Sequence, residues 1–277
     1  MDSGAGIEPS TLSALLALVR QHTGISMTDR KSTLLERRLR PRMLALNIRS
    51  YQSYVQRVRD DRDEVPHFID LVTTNDTLFF RTQHVWDYVE QTFLPDWWRA
   101  HPGATLKVWS AAASSGEELY SIAMLCDQFQ QANPAFRYQI LATDISRQIL
   151  AAARAGKYAG RSVERLLASH PDWVDKYFGA AGDGLRVAEA LKRHVTLAQH
   201  NLLAPLSPPA PFDHAFDLVF LRNVLFYFDR AYQQTVLRQV QQSMAPNARL
   251  ILGESDSITG FDAGLRFERS LIYTLNH

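Results

Sequence analysis

The residues with the clearest chemical use fall in Lys107 to Leu125, where one glycine, Gly116, is followed at once by two carboxylates, Glu117 and Glu118. Leu106, Val108 and Trp109 precede a run of small residues, and Leu119, Ile122, Ala123, Leu125 and Cys126 follow at helical spacing. The pattern predicts strand, tight turn and helix. In open α/β sheets the mouth of such a turn, at the carboxyl end of a strand, is where small ligands bind. A single glycine departs from the dinucleotide fingerprint. Glutamates at a helix start also repel a pyrophosphate, which takes the positive amino-terminal end. The turn therefore suits a ligand with a cationic end and no phosphate.

Four further groups are candidates to meet this turn at one sheet edge: Asp144, His200 to Leu202, Arg222 with Asn223, and Asn75 to Arg81. Asp144 closes the β-rich run RYQILATDIS, 28 positions after Gly116. That is longer than the roughly 20 of the dinucleotide fold but in the same topological place. A carboxylate there can accept from both ribose hydroxyls at once. Taken singly, an acid after a strand is commonly a helix cap and an Arg-Asn pair commonly a surface turn; the shared placement at strand ends is what favours a site. No His-Asp pair for general-base work stands out. The one cysteine, Cys126, excludes an internal disulfide framework and any multi-cysteine zinc site, and its place in an apolar helix pattern makes it core. No metal site is expected.

The elements that must position these groups begin with helices. Residues 1 to 8 carry no pattern. Leu12, Leu15, Leu16 and Val19 mark a first helix, stopped at Gly24. A second comes after Thr28 or Asp29 as cap, burying Leu34, Leu35, Leu39 and Met43 and carrying a basic series from Arg30 to Arg42. Ser50 caps a third helix, and a fourth runs through Phe68, Ile69, Leu71 and Val72. This all-helical module, residues 1–72, is too small to bury its faces richly and is expected to lean on the remainder of the chain. Residues 73–105 read as a linker, Thr73 to Thr82, and a packing helix with Trp86, Tyr88, Val89 and Phe93. From 106 to 277 strand and helix alternate. A small β insert is expected at about 179–200, and ARLILGESDSI and RFERSLIYTLN read as two strands closing the sheet as an antiparallel hairpin. The fold class is α/β: a Rossmann-like sheet of the methyltransferase variant, with a helical amino-terminal domain and a small inserted subdomain.

The 46% hydrophobic content is ordinary for a globular chain of 277 residues, and 30 basic against 29 acidic residues leave a net charge of +1. No global field recruits nucleic acid or membrane, so a basic patch must be local. No charged-then-apolar leader and no apolar run of about 18 residues occurs, so membrane insertion is not expected and the cytoplasm is the expected location.

In their order, TTNDTLFFR, VWSAAASSGEELYS, ATDIS, HNLL and LVFLRNVLFYF resemble the chemotaxis receptor glutamate methyltransferases, the CheR family, and the resemblance covers nearly the whole chain. It implies S-adenosylmethionine as cofactor and glutamates on chemoreceptor cytoplasmic helices as acceptors. It further implies cofactor contacts at Asn75, Thr77, Arg81, Glu117, Asp144, Asn201, Leu202, Arg222 and Asn223, with Arg81 and Tyr227 nearest the transferring methyl. Leu119 stands where that family usually has proline and Leu221 where it often has cysteine. The insert matches poorly.

A glutamate carboxylate, with a reference pKa of about 4.3, is already ionised at neutral pH, so attack on a sulfonium methyl needs no general base. Arg81 is expected to steer the incoming carboxylate and the Tyr227 hydroxyl to help place it. The basic helix, Arg30 to Arg42, is the expected dock for acidic receptor helices, and a monomer is the expected state. The competing functions are methyl transfer to another acceptor, such as an amine, and a non-catalytic module that binds the cofactor and regulates a receptor pathway.

Overall fold

The computed structural model describes residues 6–213, 215–261 and 264–275. The expectation for the chain start lies outside the described residues at positions 1–5, as does His214 at the head of one predicted strand run.

Helix α1 (Pro9–Thr23) opens on proline, whose missing N–H costs nothing in a first turn, and ends at Gly24, left-handed at φ 76°. One 3-10 turn, Asp29–Lys31, precedes α2 (Ser32–Ala45), which starts later than a Thr28 or Asp29 cap predicts and has no side-chain cap. Ser50 caps α3 (Tyr51–Asp60), its hydroxyl accepting from the Ser53 N–H at 3.1 Å, and α4 (Glu64–Val72) completes the module. Leu15, Val19, Leu35, Leu39, Tyr54 and Phe68 meet in one core. Beside it the buried Glu64 carboxylate accepts from Arg42, at 3.0 Å from Nε and 2.6 Å from Nη2, and from the Tyr54 hydroxyl at 2.9 Å.

The linker lays Phe79 and Phe80 into the next core. α5 (Gln83–Tyr88) and α6 (Leu94–Ala100) come next, joined through a wider π turn at Val89–Phe93. In β1 (Thr105–Ala111) the period of two sends Leu106 and Val108 to a core shared with these helices, and Trp109 and Ala111 to a second core on the other face. The chain then runs through α7 (Glu117–Ala132), β2 (Arg137–Asp144) and α8 (Arg147–Ala155). An inserted unit holds β3 (Lys157–Tyr158), α9 (Arg161–Ser169), α10 (Pro171–Tyr177), β4 (Phe178–Ala181) and β5 (Gly184–Val187). α11 (Glu189–Lys192), β6 (Val195–Gln199), β7 (Phe216–Leu221), α12 (Arg230–Gln242), β8 (Met244–Leu252), β9 (Leu265–Arg269) and β10 (Ile272–Leu275) finish it.

The main sheet has the order β6-β2-β1-β7-β8-β10-β9, parallel through its first five strands and antiparallel at β10 and β9. It is the Rossmann-like sheet with a closing hairpin that the sequence predicts. Two details differ. The predicted insert at about 179–200 splits: β3, β5 and β4 form their own sheet, starting earlier at Lys157, whereas Val195–Gln199 pairs parallel with β2 as an edge of the main sheet. Half-buried on both faces, that edge strand carries little of the apolar run that marks a central parallel strand. The hairpin also lies within RFERSLIYTLN, reversing at Ser270 and Leu271, the latter left-handed at φ 64°; a leucine there carries no turn signature.

The helical module leans on the sheet as expected. Ile25 bridges to Phe228, the Tyr227 carbonyl accepts from the Ser26 N–H at 2.7 Å, and Asp70 accepts from the Ser146 hydroxyl at 2.6 Å.

Candidate functional site

β1 lies between β2 and β7, where the strand order reverses, and the carboxyl ends of these strands open onto a cleft. Its floor is the turn after β1. Ala112 at φ 64°, Ser114 at 52° and Gly116 at 97° are all left-handed, and a Cβ on Gly116 would stand 2.9 Å from the Tyr158 hydroxyl. A turn of this kind, unfavourable for alanine and serine, persists because its surroundings hold it.

Asp144, at the end of β2, holds that turn. Its Oδ2 accepts from the Ser114 N–H at 2.9 Å and its Oδ1 from the Ser146 N–H at 3.0 Å. Burial pushes its carboxyl above the ordinary range, against these backbone hydrogen bonds. No cation pairs with it among the described residues, and it lines the cleft.

Of the two glutamates at the start of α7, Glu118 lines the cleft and Glu117 does not. The expected contact residue, Glu117, is thus turned away from the cleft, and its neighbour Glu118 is the one that lines it. The Glu117 carboxylate accepts from the Ser115 hydroxyl at 2.5 Å and the Ser162 hydroxyl at 2.8 Å. Glu118 accepts from the Ser110 hydroxyl at 2.9 Å and from Arg222 Nη1 at 3.1 Å, and burial pushes it upward against the pull of Arg222. Arg222, just past β7, also donates from Nη2 to the Arg81 carbonyl and the Thr82 hydroxyl, both at 2.8 Å, and lies over the Trp86 ring. Asn223 is left-handed at φ 55°; its N–H and that of Leu225 are both taken by the buried Asp256 carboxylate. A Cβ on Gly253 would come within 2.4 Å of the Asn223 nitrogen, so glycine there is what lets β8 pass behind the site.

Asn201 and Leu202 line the cleft beyond β6, but the Asn201 amide is already committed, accepting from the Leu203 N–H at 3.0 Å and donating to the His22 carbonyl at 3.3 Å. Burial takes the neighbouring His200 imidazole down to about 4, so it is neutral. The opposite wall carries Asn75, Thr77 and Arg81 from the linker and Tyr227 from the turn after β7. Arg81 is half-buried and reaches the Asp76 carbonyl at a long 3.5 Å. Burial raises the Tyr227 phenol, against Thr74, Arg38 and Arg81, so it stays a neutral hydroxyl. Thr23 and Ile25, at the end of α1, complete the wall without any sequence signal.

Four buried polar atoms of the cleft have no protein partner: Ser114 Oγ, His200 Nε2, Arg222 Nε and Asn223 Nδ2. Buried polar groups are normally paired, so these are capacity for a ligand. Donors, acceptors and two carboxylates around one cleft fit a molecule that carries an ammonium, a carboxylate, ribose hydroxyls and a heterocycle, and so fit S-adenosylmethionine.

The basic series of α2 divides. Arg42 is bound to Glu64, and Arg38 donates to the Val72 and Thr73 carbonyls at 3.1 and 2.9 Å. Arg30, Arg37 and Arg40 remain exposed, and Lys31 Nζ lies 5.9 Å from the Tyr227 ring centre. Among the described residues no group of three or more His, Cys, Asp or Glu could hold a metal, and no helix is long and apolar enough to cross a membrane.

The family model described as CheR methyltransferase, SAM binding domain, matches residues 75–272, and the CheR methyltransferase, all-alpha domain, matches residues 10–73. The chain is 35% identical over 240 residues to chemotaxis protein methyltransferase 1 of Pseudomonas aeruginosa, covering 85% of both. It is 36% identical over 242 residues to chemotaxis protein methyltransferase 1 of Vibrio cholerae, covering 86% of this chain and 85% of that one. To the chemotaxis protein methyltransferase of Escherichia coli it is 33% identical over 267 residues, covering 94% and 88%.

Proposed function

This chain belongs to the CheR methyltransferase family and uses S-adenosylmethionine, and from that premise we propose that its acceptor is the side-chain carboxylate of glutamates on chemoreceptor cytoplasmic helices, which it converts to methyl esters. The cofactor supplies an electrophilic methyl group on a sulfonium. The chain's own residues hold and orient. Asp144 would accept from the ribose hydroxyls, and Glu118, in place of Glu117, would answer the ammonium side. Arg222, Asn223, Asn75 and Thr77 would supply polar contacts around it, and Leu202 an apolar part of the wall. Asn201, its amide spent on the protein, contributes its place in the wall.

The observation that carries the acceptor class is Arg81. Its guanidinium lines the same cleft as Tyr227, near enough for its charge to favour the ionised phenol, while Glu118 and Asp144 are already engaged by Ser110, Arg222 and backbone N–H groups. A cation there draws an anionic acceptor and repels an ammonium. A carboxylate acceptor needs no proton removed, in keeping with a neutral His200 and a neutral Tyr227. Lining up oxygen, methyl carbon and sulfur can supply on the order of 7 kcal/mol. Exposed Arg37 and Arg40 lie on α2, and exposed Arg30 lies on the 3-10 turn before it, whose Lys31 Nζ stands 5.9 Å from the Tyr227 ring centre, so an acidic receptor helix docked along this stretch would present its glutamates to the cleft. The cytoplasm, where such helices lie, is the matching location, and a monomer is the matching state.

The test is transfer of labelled methyl to purified receptor cytoplasmic fragments. The expected product releases its label as methanol in base, and Arg81→Ala lowers kcat/KM about 30-fold, roughly 2 kcal/mol. Base-stable label would move the acceptor to an amine. Cofactor binding with no transfer would make the chain a regulator.

A further inference from the structure

Glu117 is buried, 5% exposed, yet touches nothing in the cleft. Its two oxygens tie the turn after β1, through Ser115, to the first turn of α9 in the inserted unit, through Ser162. Its own carbonyl accepts from the Ser121 hydroxyl at 2.7 Å, and that oxygen accepts from the Phe80 N–H at 3.1 Å. The same insert grips the cleft floor and its linker wall elsewhere. Tyr158 donates to the Ser115 carbonyl at 2.8 Å, Arg165 to the Phe80 carbonyl at 3.3 Å, and Arg161 pairs with Asp76. Phe79 packs edge-on against Tyr158 at 4.9 Å and Phe178 at 5.7 Å.

The segments so gripped are unfavourable ones. Phe80 at φ 48°, Thr82 at 71°, Ala112 at 64° and Ser114 at 52° are left-handed, and alone would relax toward commoner conformations. The cleft-lining groups on them, Asn75, Thr77, Arg81 and Ser114, keep their places only while something outside the cleft holds the backbone.

We propose that Glu117 is a positioning residue through which the inserted unit, by way of Ser162 on α9, holds the two cleft loops in cofactor-binding shape, so that the insert sets cofactor affinity without contacting the cofactor. The proposal rests on the cofactor occupying this cleft and not on the identity of the methyl acceptor.

Titration calorimetry with S-adenosylhomocysteine, and no acceptor, tests it on the full chain. Glu117→Ala should weaken binding about tenfold, and Glu117→Gln, whose amide can still join both serines, should stay within about threefold of the parent. Ser162→Ala should weaken binding about threefold, and adding it to Glu117→Ala should cost nothing more, because its effect passes through Glu117. At saturating cofactor, kcat of Ser162→Ala should stay within about twofold of the parent, placing the loss in cofactor KM. Ser162 is half-buried and its replacement removes one hydroxyl, so the measurement survives even if Glu117→Ala fails to fold. Unchanged affinity in Ser162→Ala, penalties that add in the double variant, or a loss confined to kcat would each overturn the proposal. A different acceptor would leave the binding pattern as expected while changing the base-lability of the product.

Discussion

Glu64 in the helical module and Asp144 in the cleft are both buried carboxylates, and they are treated in opposite ways. Glu64 receives a guanidinium through two nitrogens and a phenol; burial alone pushes it up, but the hydrogen bonds from Arg42 and Tyr54 win and leave it below its ordinary value of 4.5. Asp144 receives backbone N–H groups, those of Ser114, Ser146 and Ile145, and no cation among the described residues, and burial leaves it above its ordinary value of 3.8. The first is finished, with its charge answered inside the protein. The second is left short, and a buried carboxylate with spare acceptor capacity at a strand end is the mark of a ligand site.

The contrast breaks most visibly at Glu64. Glu64→Ala should cost about 3 kcal/mol in urea unfolding, because the buried Tyr54 hydroxyl and Arg42 lose their partner, while affinity for S-adenosylhomocysteine in the folded fraction stays at the parental value. A depressed folded pKa means this contribution is full above 4.5 and lost as pH falls through the folded value, so the gap to the parent should close on acidification. Asp144→Asn should do the reverse. Cofactor affinity by calorimetry should fall about 100-fold, roughly 2.7 kcal/mol. Stability at neutral pH should change less than at Glu64, because relief of the buried charge is offset by an amide nitrogen that cannot accept from whichever of the Ser114 and Ser146 N–H groups it faces. The raised folded pKa of Asp144 makes its ionised form a cost above that value, relieved as pH falls toward 3.8, so the variant should lose ground to the parent in acid. The smallest effect belongs to the surface. Arg37→Gln should raise KM for receptor fragments about threefold at low salt and make little difference at high salt, whereas Arg38→Gln, whose side chain holds Val72 and Thr73, should act at any salt. If both respond to salt alike, the division of the basic helix is wrong.

Much of this is legible in the sequence because its carriers repeat or punctuate. Gly116, the apolar run of β1 and the acid ending β2 mark strand, turn and strand end, and the ordered motifs around them mark the family. Helical phase is not legible at Glu117 and Glu118. The first ten residues of α7 are buried all round, so no polar face tells which glutamate points to the cleft, and successive helical residues differ by about 100°. Thr23 and Ile25 reach the wall through tertiary packing that no local pattern encodes. The basic series reads as one face in sequence, but Arg38 and Arg42 turn inward to satisfy carbonyls and Glu64. β6 passes for part of the insert because an edge strand, half-buried on both faces, lacks the apolar run of its neighbours.

Gly24 makes the joint between the two parts of the chain. Its left-handed φ of 76° turns the chain out of α1 and brings Thr23 and Ile25 to the cleft, and a methyl group there would stand 2.4 Å from Leu203 Cδ1 and 3.2 Å from the Phe228 ring. The segments that separate family models recognise therefore share the walls of one cleft, and a tilt of the helical module would be felt there as a change in the cleft's width.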